Sequence, residues 1–213
     1  MTTGLVPRPL VILLALQTAL HESTDLAPDA DEQALVEAAR RLEDGAWQTL
    51  YERHYPRLYS YLYYRVGDAE GAEDLTAEVF ERAVRGIGRY QQRGASLGAW
   101  LMRIAQNLAN DHYRRQKVRP PDPLEMNETW FRGGDDPAHR AVHNESSRLL
   151  RQALERLTPE QRDVVLLRFV ARMTGPEIAR SMGKTAGAVK AIQHRGLASL
   201  RRELEALGYH GLV

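Results

Sequence analysis

The chain has 213 residues, no cysteine, and a net charge of +1 from 29 Lys and Arg against 28 Asp and Glu. That length suits one ordinary domain or two small ones, and the missing cysteine excludes a disulfide framework and a thiolate zinc site and fits a reducing compartment. Near-neutral charge argues against indiscriminate coating of nucleic acid, so the information lies in how the charge is distributed along the chain.

Residues 1–30 contain an unbroken apolar run from Leu10 to Leu16 behind Arg8. The run is too short to span a bilayer and no clean small-x-small cleavage site follows it. It is expected to be an N-terminal extension without membrane insertion, and the protein to be cytoplasmic.

The helical pattern begins at Asp31, and Trp47, Leu50, Tyr51, Tyr55, Leu58, Tyr59, Leu62 and Val66 recur at threes and fours to form one apolar face. Pro56 falls inside that pattern and predicts a kink or division, because it removes a donor and crowds the preceding turn. Asp68 can cap a following helix that turns Leu75, Val79, Ala83 and Ile87 inward. Asp74, Glu78 and Glu81 then face outward at i, i+4 and i+7. From Asp68 to Glu81 there are six acids and no Lys or Arg, which makes that face a candidate docking surface.

After the polar stretch "RYQQRGAS" comes "AWLMRIAQNLANDHYRRQK". Trp100, Leu101, Ile104, Ala105 and Leu108 form its buried stripe. Arg103, Asn107, Asn110, Arg114, Arg115 and Lys117 are the polar remainder, so an acidic helix is followed by a basic, amide-rich one.

Breakers cluster in "PPDPLEMNETWFRGGDDP", from Pro120 to Pro137, and helical spacing resumes beyond. Two small helical domains joined by a flexible linker are therefore expected, in an all-α chain: a first domain over 31–117, a linker over 118–143, a second domain over 144–206 and a tail over 207–213. "HRAVH" places His139 and His143 at i, i+4, but Arg140 stands where a zincin needs its glutamate, and no third ligand follows. "GIGRYQQ" fails the dinucleotide pattern because Gln91 occupies the third glycine's place. No metal, no cofactor and no enzyme activity is expected.

"AEGAEDLTAEVFERA" followed by "AWLMRIAQNLANDHYRR" resembles the first conserved domain of bacterial extracytoplasmic-function sigma factors. "LERLTPEQRDVVLLRFV" and "EIARSMGKTAGAVKAIQHRGLASLRREL" are similar to that family's C-terminal promoter-reading domain, so the resemblance runs from Asp31 to Leu204 and omits much of the linker. Within it, "LTPEQ" has the form of a capping box on Thr158 and Gln161.

The second domain also carries its own geometry. A helix-turn-helix needs a small residue in its first helix, a glycine in the turn and an apolar residue in the second helix, and Ala179, Gly183 and Val189 fill those places, supported by Ile178 and Ile192. Ala188, Lys190, Ala191, His194 and Arg195 then project as a surface that can lie in a major groove, with Lys184, Arg201 and Arg202 placed for phosphates. Gly196 departs from the family, which has a better helix former there, and glycine inside a helix costs ~1 kcal/mol. Arg172 to Arg202 holds seven Lys or Arg against one acid, Glu177.

The resemblance implies a subunit that binds core RNA polymerase, recognises the minus-thirty-five and minus-ten promoter elements and promotes melting. Asp74 and Glu78 match positions that dock on the clamp helices of the largest subunit, with Glu81 a further candidate on the same acidic face, the second domain would meet the flap, and an anti-sigma factor is an expected partner. Ala77 stands where many members have glutamine, so Thr76 is a candidate for the displaced polar contact. Tyr90, Gln91, Gln92 and Arg93 match the loop that opens the minus-ten element, with Asn107 the choice for the captured base. Arg103, Asn110, Arg114, Arg115 and Lys117 would hold the separated strand. An amide at Asn107 can also serve a helix-packing hydrogen bond. Two alternatives remain at this level: a polymerase-independent helix-turn-helix regulator, which leaves Asn107 and the acidic helix without a use, and a sigma-like decoy for an anti-sigma factor, which has no need of Lys190 and Arg195.

Overall fold

The computed structural model describes residues 30–43, 45–91, 96–116 and 148–208. The N-terminal extension, Gln92, Arg93, Lys117, the linker with His139 and His143, and the tail beyond Gly208 lie outside the described residues. Every described element is helical, and the chain divides into two compact units, with 30–116 in one and 148–208 in the other.

The first unit contains α1 (Ala30–Arg40), α2 (Ala46–Val66), α3 (Ala69–Gly86), a single 3-10 turn (Ile87–Arg89) and α4 (Leu97–Gln116). The second helix packs against the other three, which is why its inward stripe widens along its length until Leu58, Tyr59, Tyr61, Leu62, Tyr63 and Val66 are all buried. Tyr51, Tyr55, Tyr59 and Tyr63 follow one another one turn apart, their ring centroids separated by 4.8, 5.8 and 6.2 Å. Burial, aided by the Glu73 carboxylate, raises the Tyr59 hydroxyl to about 12, so Tyr59 serves as neutral core, with Tyr55 and Tyr63 buried beside it and Tyr51 exposed at the end of the row.

Pro56 does not divide α2, which runs unbroken from Ala46 to Val66. Pro56 is exposed, so the backbone carbonyl deprived of its partner is open to water, where the loss costs least. His54, one turn from Arg57, is 3 % exposed, and burial together with Arg57 and Arg53 lowers it to about 4. Arg57 lies 3.0 Å from His54 Nδ1. A guanidinium can only donate, so Nδ1 is the acceptor and the ring is neutral.

Asp68 caps α3 as expected, its carboxylate accepting the Gly71 N–H at 2.5 Å. The inward residues Leu75, Val79, Ala83 and Ile87 are all buried.

The second unit contains α5 (148–155), α6 (Pro159–Val165), a π-helical continuation (Leu166–Val170), α7 (Gly175–Met182) and α8 (Ala186–Ala206). Each later start is signalled locally. Thr158 and Gln161 form the capping box at α6, Thr174 and Glu177 form a second one at α7, and Thr185 accepts the Ala188 N–H at α8. Gly183 closes α7 at φ 63°, and Ile178, Ala179, Val189 and Ile192 are buried between α7 and α8. The helix-turn-helix spacing is thus realised as packing.

Gly196 has a use that its helix propensity hides. A Cβ built there would stand 3.1 Å from Val165 Cγ2 and 3.4 Å from both the Cβ and the carbonyl oxygen of Gln161. The missing side chain lets α8 approach α6 closely.

Arg172, between the π-helical segment and α7, is exposed and holds φ 53° without being glycine. A side chain in that region costs on the order of 1 kcal/mol, partly offset by glycine's larger unfolded-state entropy. Arg172→Gly is expected to stabilise the second unit by roughly 0.5 kcal/mol. Slower amide exchange in α7 and α8 of the full chain is the measurement, and faster exchange would show that the arginine side chain outweighs its backbone strain.

Candidate nucleic-acid interface

Three surfaces were expected from the sequence, and each has a distinct electrostatic state. On α3, Asp74 is exposed and makes no ion pair among the described residues. Glu78 and Glu81 are also turned outward, but each is paired one turn on, Glu78 with Arg82 at 2.6 Å and Glu81 with Arg85. The face is therefore acidic toward its N-terminal half and neutralised toward its C-terminal half. Such exposed helical pairs contribute little stability and exchange readily for another partner.

Thr76 does not belong to that face. It is fully buried, and its hydroxyl donates to the Ala72 carbonyl at 2.6 Å. One residue beyond Leu75, it falls on the same inward stripe, so the expected contact from Thr76 is withdrawn.

Tyr90 is corrected likewise. It is 4 % exposed, its ring lies 5.1 Å from that of Trp100, and burial raises its hydroxyl to about 12. Its carbonyl accepts from Arg40 of α1. Tyr90 is a post under the connection to α4, leaving Gln91 as the exposed residue at that end.

Along α4, Leu101, Ala105 and Leu108 are buried, with Met102 and Ala109 beside them, while Arg103, Asn107, Asn110, Arg114 and Arg115 are exposed. Exposure removes the packing role for Asn107. Asn107, Asn110, Asp111 and Arg114 line one shallow, open depression, in which Arg114 is paired with Asp111.

Sequence reasoning missed Arg65. This residue near the end of α2 is only 7 % exposed; its guanidinium donates to Asn110 Oδ1 at 3.1 Å and lies 4.8 Å from the centre of the Tyr113 ring. Because arginine has no acceptor, the Asn110 oxygen must face it, which leaves the Asn110 amide protons for the depression. The signal was an arginine inside the apolar run "YLYYRV", since a charge there needs a partner.

On α8 the exposed residues Lys190, Ala191, His194, Arg195, Arg201 and Arg202 recur at helical spacing, and Ala188 is half-buried next to the cap. Lys190 and Arg195 make no ion pair among the described residues. Arg201 is paired with Glu205 at 2.9 Å, Arg202 donates to Ser199 at 3.1 Å, and Lys184 is paired with Glu160 at 2.8 Å. Lys190 and Arg195 thus carry open charge on the N-terminal half of α8, the part that enters a groove in helix-turn-helix proteins, and Arg202 carries another further along, since a serine hydroxyl leaves its charge in place. Among the described residues no cluster of His, Asp or Glu could hold a metal, and no helix is long and apolar enough to cross a membrane.

Comparison with known proteins matches residues 50–119 to the family Sigma-70 region 2 and residues 153–202 to Sigma-70, region 4. The ECF RNA polymerase sigma factor BldN of Streptomyces coelicolor is 38% identical over 185 residues, covering 84% of this chain and 69% of that protein. The ECF RNA polymerase sigma factor SigX of Bacillus subtilis is 33% identical over 165 residues, covering 76% of this chain and 84% of its own length. Among solved structures, CnrH in complex with the cytosolic domain of CnrY superposes with a TM-score of 0.62 at 22% identity, over 82% of this chain and 97% of that one. The sigma factor RpoE in complex with the anti-sigma factor NepR from Bartonella quintana gives 0.60 at 18%, over 74% and 96%. At those identities the superpositions speak for the fold.

Proposed function

Because the chain belongs to the extracytoplasmic-function RNA polymerase sigma factors, we propose that its two units divide promoter recognition between them as a dissociable, non-enzymatic polymerase subunit of the cytoplasm. The outer face of α3, with Asp74, Glu78 and Glu81, docks on the clamp helices of the largest polymerase subunit. Gln91, Arg103, Asn107, Asn110, Arg114 and Arg115, together with Gln92, Arg93 and Lys117 outside the described residues, engage the minus-ten element. The unit containing α7 and α8 meets the flap and reads the minus-thirty-five element through Lys190, Ala191, His194 and Arg195. Ala188 lies at its edge, with Lys184, Arg201 and Arg202 on the backbone. An anti-sigma factor that covers these surfaces is the expected regulator.

The observation that carries this reading is the exposed Asn107 and Asn110 edge in the unit without the helix-turn-helix. A duplex-reading regulator has no use for it, whereas an amide can read a base edge once the base is unstacked. The neighbouring arginines supply the charge that a separated strand needs.

Reconstituted transcription with core polymerase on fragmented genomic DNA tests the function and identifies the promoters together. In the same system, Asp74→Arg with Glu78→Arg is expected to weaken binding to core polymerase by tenfold or more, an order of magnitude typical of reversing charges at an interface. Helix content by circular dichroism should be unchanged. Undiminished affinity in the folded double variant would remove this face from polymerase docking.

A further inference from the structure

Two side chains of α1 reach the two ends of a single connection. Arg40, in the last turn of α1, donates through Nε to the Ile87 carbonyl at 3.3 Å and through Nη2 to the Tyr90 carbonyl, while Glu37 holds its Nη1 at 2.6 Å. Glu32, eight residues earlier on α1, accepts the Leu97 backbone N–H at 2.6 Å. Ile87 and Tyr90 end the run that begins with α3, and Leu97 begins α4.

The chemistry suits both ends. A helical C-terminus leaves carbonyls without partners and carries partial negative charge, while an N-terminus leaves N–H groups and carries partial positive charge. Arg40 meets the first with a cation that only donates, adding to the Tyr90 N–H that the Ile87 carbonyl already accepts, and Glu32 meets the second with a carboxylate that only accepts. Both contacts are half-buried and bridge at least 47 residues of sequence, so neither follows from local helix formation. The helix whose start Glu32 fixes carries Asn107 and Asn110, and the segment whose end Arg40 fixes leads into Gln91.

We infer that α1 is a clasp, in which Arg40 and Glu32 are positioning residues that hold Tyr90 and Leu97 at a fixed separation, so that Gln91 keeps a fixed place relative to the helix that carries the Asn107 edge when a base is captured. The inference rests on the minus-ten role proposed above. Holding the ends before DNA arrives reduces the ordering that base capture must impose, and so raises affinity for the unstacked base without touching it. Among the described residues Arg40 and Glu32 bond to Glu37, Ile87, Tyr90 and Leu97, none of which is on the outer face of α3 with Asp74, Glu78 and Glu81.

The test uses the full chain bound to core polymerase and a single-stranded minus-ten oligonucleotide from a promoter found by reconstitution, either intact or abasic at one position at a time. The wild-type holoenzyme is expected to lose on the order of tenfold in affinity at the captured position. In Arg40→Met and in Glu32→Ala that abasic penalty should shrink to about twofold or less, with core binding and binding to the upstream duplex element unchanged. Glu32→Gln keeps an oxygen for the Leu97 N–H and should keep the full penalty. A merely structural role would scale all affinities alike and leave the ratio of intact to abasic binding untouched. Arg40→Met and Glu32→Ala retaining the full penalty would overturn the clasp. A wild-type holoenzyme with no position-dependent penalty would instead overturn the base-capture reading, and the clasp with it.

Discussion

Gly196→Val is expected to destabilise the second unit by about 2–3 kcal/mol and to abolish binding to the minus-thirty-five element. The first methyl-sized atom already stands 3.1 Å from Val165 Cγ2 and 3.4 Å from the Gln161 carbonyl oxygen. Two further carbons have nowhere to go, since Val165 is buried and the carbonyl belongs to the backbone of α6. Displacing α8 from α6 would tilt the face that carries Lys190 and Arg195. Gly196→Ala is the informative control, because the roughly 1 kcal/mol of helix propensity it gains opposes the few tenths of an ångström that Val165 must yield. Its stability should lie near that of wild type. Amide exchange in α6 and α8, measured on both variants, separates the two outcomes, and a Gly196→Val protein as protected as wild type would show that this helix contact is not close in solution.

Lys190→Ala and Arg195→Ala are expected to behave differently from Arg201→Ala and Arg202→Ala, although all four remove one positive charge from the same face of α8. The first pair is exposed and without ion pairs among the described residues, whereas Arg201 and Arg202 are engaged by Glu205 and Ser199. Losing a base contact should cost ~1–3 kcal/mol at particular positions of the upstream element and relax the preference there. Losing a phosphate contact should weaken every sequence alike and lower the salt slope by about one per charge. Binding of the polymerase-bound variants to the consensus and to single-base variants over a salt series distinguishes them. A uniform loss for Lys190→Ala and Arg195→Ala would mean that α8 positions the protein without reading bases, leaving specificity to DNA shape or to the first unit.

Much of this protein was legible in its sequence because the deciding interactions are local. Helical periodicity located the inward stripes of α3 and α4. Asp68 and Thr158 announced helix starts through bonds to residues three positions on, and the Ala179, Gly183, Val189 spacing placed a left-handed turn between two packed helices. Each is determined by bond geometry within a turn or two, and no distant residue is needed to decide it.

Tertiary structure decided what happens where one helix meets another. Thr76 and Tyr90 look like polar surface in the sequence and are buried, Thr76 within the helix that packs against α2 and α4 and Tyr90 against Trp100 of α4. Pro56 leaves α2 whole because its side of the helix meets water. Gly196 looks like a weak point in a helix and is a point of close approach, and Arg65 looks like an anomaly and orients Asn110. Arg40 and Glu32 act across separations of 47 to 65 residues. The physical reason is the same throughout: periodicity tells which residues share a face, but what that face touches depends on the packing of the whole unit, where close-packed neighbours determine whether a polar group finds a protein partner or water.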